Sequence, residues 1–306
     1  LMRVSYAIQP KRIGYLLAGI AVLLAILSLL GEYFFQTAFA IDNDSALFLV
    51  LDLFSVNLEE SIPTWFSVLI LFIASAVLFG IAAIKWSHQD RYRFHWLGLA
   101  FIFLYLSMDE GAVIHEILAD EMQVAFNTSN YLYFGWQIVA VPVVVVIGLL
   151  YLRFVFHLPA VTRNLFILSG AIYVGGALGI EAISANQWYV DEGLSLTYLV
   201  IATVEEFFEM IGVIVFIYAL LAYINHMNYA LTLTPPVADD KGRGLAEVAM
   251  SPPLHTDTMT GGTIVQKLNP LLLVVMFLSI TNIAALVWIA SGRQPAPAVA
   301  AETTPA

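Results

Sequence analysis

LVIATVEEFFEMIGVIVFIYALLAYI, residues 199–224, decides how this chain is read. The stretch exceeds the roughly 20 apolar residues that a bilayer core requires, yet Glu205, Glu206 and Glu209 lie inside it. Two further apolar stretches repeat the pattern. FLYLSMDEGAVIHE, 103–116, carries Asp109, Glu110, His115 and Glu116, and GGALGIEAIS, 175–184, carries Glu181. A carboxylate in hydrocarbon is costly and is a functional candidate by default.

Outward from this stretch, six others have spanning length and composition. The full set is 13–30, 64–84, 94–114, 134–154, 165–184, 199–224 and 271–289. The segment 46–56 is apolar but too short to span, and it reads as an interfacial or re-entrant helix bearing Asp52 ahead of Glu59 and Glu60. Lys and Arg set the orientation. Arg3, Lys11, Arg12, Lys85, Arg91, Arg93, Arg153, Arg163, Lys241, Arg243 and Lys267 all fall on one side if the N-terminus is cytoplasmic, and Arg293 is the lone exception. The expectation is an all-α polytopic membrane bundle of about seven transmembrane helices, N-in and C-out. It comprises a six-helix bundle over 1–230, a flexible cytoplasmic linker over 231–268 rich in Pro, Gly, Thr and Asp, a seventh helix over 269–292 and a disordered tail over 293–306.

Composition agrees. The chain is 60% hydrophobic and only 11% charged, which excludes an ordinary soluble domain. It has no cysteine, so disulfides, thiolate metal sites and Fe–S clusters are excluded. Leu1-Met2 suggests Met2 as the initiator, and the first apolar stretch reads as a retained helix rather than a cleaved signal. Trp86 and Trp96 are expected to anchor the inner interface, and Trp65, Trp136 and Trp188 the outer one. The bilayer is the expected partner, nucleic acid is not, and a bacterial inner membrane is the expected location.

At 1.5 Å per residue, Asp109 and Glu110 lie about 10 Å below the outer boundary, Glu181 about 8 Å, Glu205 and Glu206 about 12–14 Å, and Glu209 about 18 Å. Acids from three helices thus share one layer in the outer half, with Gln137 and Asn282 at nearby levels as polar neighbours. In a straight third helix Asp109 and Glu116 share a face two turns apart, too far to ligate one ion, and Tyr105 is placed to hydrogen-bond Asp109. Pairing with Lys or Arg is excluded by topology. Ionising all the deep acids together without a cation is prohibitive, which leaves protons or bound cations as neutralisers.

Several carboxylates and one imidazole suit Fe, Mn or Zn, and carboxylates alone suit Ca. The leading expectation is a divalent-cation site built by Asp109, Glu110, His115, Glu116, Glu181, Glu205, Glu206 and Glu209, extending to metal-dependent chemistry on a lipid or small molecule. No Glu-x-x-His or His-Glu-x-x-His spacing specifies it. A proton- or cation-coupled transporter or channel is the alternative, although the inner halves of these helices show no matching acids. A structural subunit of a membrane complex is a third reading. The last apolar stretch has no lysine for retinal, and His95, His157 and His226 near the inner surface read as interfacial rather than as haem ligands.

The stretch WLGLAFIFLYLSMDEGAVIHE, 96–116, together with EEFFEMIG, 205–212, resembles a family of uncharacterised bacterial multi-pass membrane proteins. These pair a Leu-Ser-x-Asp-Glu…His-Glu segment with a later Glu-Glu…Glu-Met segment. The resemblance implies that Asp109, Glu110, His115, Glu116, Glu205, Glu206 and Glu209 belong to one site. It supplies no activity.

Overall fold

The structure is a computed structural model and describes residues 4–6, 9–37, 46–227, 230–234 and 247–251. Its helices are α1 (Pro10–Thr37), α2 (Ala46–Asp52), α3 (Ile62–Ser87), α4 (Arg93–Ala112), α5 (Ile114–Phe126), α6 (Gln137–His157), α7 (Ala160–Val174), α8 (Glu181–Asp191) and α9 (Leu196–His226). A π-helical segment, Gly175–Ile180, joins α7 to α8. Among the described residues five helices are long and apolar enough to cross a membrane, or six if the bent pair α4 and α5 counts as one span. The chain is therefore a multi-pass membrane protein. The seventh span expected at 271–289 and the tail lie outside the described residues. Strands β1 (Val4–Tyr6), β2 (Ala230–Thr234) and β3 (Glu247–Ser251) pair antiparallel in that order, with Val4 opposite Leu233 and Thr232 opposite Ala249. The last two fall within the stretch that composition reads as linker.

Straight, evenly bounded helices do not describe the bundle. The third span does not run through residue 114. It ends at Ala112, and α5 leaves at 73°. The fifth span is longer than 165–184, because Ala160–Asp191 is continuous through the π-helical segment. Trp96 is not an interfacial anchor. It is 1% exposed and stacks on Tyr223 at 5.0 Å.

The core forms around α9, 61% of whose most apolar window is buried, against 6% for α6. Without a hydrophobic drive between helices in lipid, association depends on close packing and interhelical hydrogen bonds. Both are present. Ser75 Oγ donates to the Ala100 carbonyl at 2.8 Å and Ser107 Oγ to that of Val68 at 2.9 Å, stitching α3 to α4. Ser169 Oγ donates to the Gly212 carbonyl at 2.9 Å, tying α7 to α9. Gly212 permits this approach, since a Cβ there would stand 2.8 Å from the Tyr173 backbone nitrogen.

Charge is sorted along the bundle. Lys85 Nζ lies 5.4 Å over the Tyr223 ring near the end of α9, Gly14 of α1 faces Tyr218, and Phe154 and Phe166 meet Trp96 at the same end. Lys11, Arg12, Lys85, Arg91, Arg93, Arg153 and Arg163 adjoin these contacts in sequence. The opposite end, where α3, α6 and α9 begin and α4 stops, carries the acids.

Candidate functional site

Ser caps begin two of the helices that frame this end. Ser61 accepts from the Thr64 N–H at 3.2 Å, and Ser195 from the Tyr198 N–H at 3.1 Å. Each such cap contributes about 1 kcal/mol. The loop before α3 is clamped to α1, because Ser55 Oγ donates to Glu32 Oε1 at 2.6 Å and the Val56 N–H to Ser28 Oγ at 3.0 Å. This clamp fixes the position of Glu59. A cavity of about 110 Å³ opens beside it, lined by Glu32, Asp52, Ser55, Asn57 and Leu199 among others, and none of the cluster acids line it.

The break between α4 and α5 is centred on Val113, which adopts φ 57° and ψ 36°. A β-branched residue in the left-handed region is strained by about 1–2 kcal/mol. The turn folds His115 back, so that His115 Nδ1 meets Asp109 Oδ2 at 3.2 Å. Because a carboxylate only accepts, Nδ1 carries the hydrogen. The third helix, expected to carry Asp109 and Glu116 on one straight face, is instead broken between them. Tyr105, expected to reach Asp109, is instead 52% exposed.

Glu110 lies within reach of Ser67 on α3 and of Glu206 on α9. Glu209, one turn further along α9, interacts with Glu206 and Glu110, and Tyr173 of α7 stands beside Glu209. Gly176, in the π-helical segment, lets α9 come close. A Cβ there would lie 3.1 Å from the Glu205 carbonyl and 3.2 Å from Glu209 Cγ. The same segment presents Glu181 from the first turn of α8, where Trp136 Nε1 donates to Glu181 Oε1 at 2.5 Å. Ser184 Oγ donates to Glu205 Oε2 at 2.8 Å. The His115 ring packs against Trp136 with centroids 5.5 Å apart. Asp109, Glu110, Glu205, Glu206 and Glu209 are only partly exposed, Glu181 is buried and Glu116 is exposed.

Thus all eight sequence candidates lie at this end of the bundle. Glu59 joins them from the loop, within hydrogen-bonding reach of Glu116. Crowding by surrounding protein, followed by the charges of Glu116 and Glu110, pushes Glu59 up to about 8. The sequence alone marks Glu59 only as an interfacial neighbour, and it gives no role to Ser67, Tyr173, Ser184 or Tyr198. Asn282 lies outside the described residues.

Among the described residues the ion pairs are Lys85–Asp90 and His115–Asp109, so no Lys or Arg enters the cluster. Nor is any group of three or more His, Asp or Glu side chains there disposed to hold a metal ion. The divalent-metal expectation gains no support from this geometry. One oxygen of Asp109 is directed at His115, one of Glu181 at Trp136 and one of Glu205 at Ser184.

Residues 14–224 match the family described as Domain of unknown function (DUF8692). The chain belongs to this family. No curated protein and no solved structure matches. The DUF8692 match ends two residues before α9 does and contains all eight candidate residues of the cluster.

Proposed function

We propose that this protein is a proton-coupled membrane protein, of the transporter or channel class, whose carboxylate–imidazole cluster exchanges protons in the outer half of a bacterial inner membrane. The N-terminus is cytoplasmic in this reading, following the basic residues gathered at the other end. The observation that carries it is the convergence of Asp109, Glu110, Glu181, Glu205, Glu206 and Glu209 with His115 and without Lys or Arg among the described residues. Carboxyls gathered without Lys or Arg cannot all be charged in a medium of low dielectric, and protons held among them are the neutralisers in this reading. Beyond Glu209 the described core turns apolar, with Met210, Val213, Ile214 and Ile217 buried and Phe103 stacked on Phe216 at 4.4 Å. The cluster acids therefore lie on one side of an apolar stretch of core.

The test is infrared difference spectroscopy on detergent-purified protein while pH is stepped upward, with metal content measured on the same sample. Wild type should lose a protonated-carboxyl C=O band that the Glu206→Gln/Glu209→Gln double variant lacks. An identical band in both, or stoichiometric Fe, Mn, Zn or Ca that the double variant loses, overturns the proposal, and the second result restores the divalent-metal reading.

A further inference from the structure

Three polar atoms at the α6–α8 contact have no hydrogen-bond partner: Glu181 Oε2, Gln137 Oε1 and Gln137 Nε2. Gln137 is 3% exposed and Glu181 7%, so bulk water does not satisfy them. Gln137 approaches the Glu181 carboxylate, yet neither atom of its amide completes a hydrogen bond to it. Buried polar atoms are nearly always paired, and a group of three left open in one spot needs a specific explanation. Two of the three are oxygens, and Glu181 is held in place from its other oxygen by Trp136.

We infer that Glu181 and Gln137 form a subsite for a monovalent alkali cation, with Trp136 orienting the carboxylate. Hard oxygen donors suit alkali and alkaline-earth ions rather than soft metals. The charge count then selects between them. One carboxylate neutralises one positive charge, and the amide oxygen beside it adds a dipole without charge.

The inference rests on the proton-exchange proposal for its role, since the ion would swap with a proton at Glu181 and thereby couple a cation gradient to the cluster. Its binding test is independent of that proposal. Purified protein is titrated with sodium chloride against choline chloride at constant ionic strength, and tryptophan emission and melting temperature are followed. Wild type should show a saturable sodium response absent in choline. Gln137→Leu should weaken apparent sodium affinity at least tenfold. Gln137→Glu, which adds a charge at the same size, should tighten it. The Glu206→Gln/Glu209→Gln variant, which fails the infrared test, should still respond. No saturable sodium response in wild type, an equal response to choline, or unchanged affinity in both Gln137 variants overturns the inference.

Discussion

Glu59 is where a single side chain makes a prediction that solution thermodynamics can read. Its folded value near 8 stands above the ordinary 4.5. Between these values the folded chain holds a proton that the unfolded chain has released. Stability therefore falls as pH rises through that window, because the folded state binds more protons. Melting of wild type in detergent should drop from pH 5 to pH 8, and Glu59→Gln should flatten the dependence and be the more stable of the two at pH 8. Equal slopes would remove Glu59 from the network. Val113 offers a second residue-level check. Val113→Gly relieves left-handed strain of about 1–2 kcal/mol, partly offset by about 0.4–1 kcal/mol of unfolded-chain entropy. Its melting temperature should match or exceed that of wild type. The acids on the helices are legible in the sequence because charge inside an apolar run is rare. Glu59 is not, since a glutamate in a loop looks solvated until the fold brings Glu116 to it.

At the scale of elements, the glycines of the α7–α9 contact set how near the acids come to one another. Gly212→Ala places a Cβ 2.8 Å from backbone of Tyr173, which cannot swing aside. It should destabilise the bundle by about 1–3 kcal/mol in a denaturant titration. Gly170→Ala, on the same α7 but with nothing within 4 Å, should be neutral or slightly stabilising. Equal effects would deny the close contact. Helix existence is readable from apolar length at every described span. The break after Ala112 is not, because Val113 is neither Gly nor Pro and β-branching argues against the conformation it adopts. The π-helical segment leaves a trace in the glycines of GGALGI, but only the packing of Gly176 on α9 gives those glycines a meaning.

For the whole molecule, the basic pole and the acidic pole translate into a labelling experiment. The chain has no cysteine, so Asp120→Cys and Gln89→Cys each create a unique thiol at opposite ends. A membrane-impermeant maleimide added to intact cells should modify Asp120→Cys alone, and Gln89→Cys only after permeabilisation. The reverse pattern would invert the proposed topology. The sorting of Lys and Arg is plain in the sequence because loops report their side directly. The burial of Trp96 is hidden, since a tryptophan near a helix end looks the same whether it faces headgroups or a neighbouring ring. Along helix α6, Val139, Val143, Val146, Leu149 and Leu150 all face outward, while its ends are fastened, by the bond from Trp136 to Glu181 at one and by Tyr151 to the His95 carbonyl and Phe154 against Trp96 at the other. It is a beam pinned at both ends and loaded by lipid in between, with Pro142 near the first pin as its weak point. Stretching or thinning the bilayer tilts such a beam, and the first pin it strains is the one that joins Trp136 to Glu181.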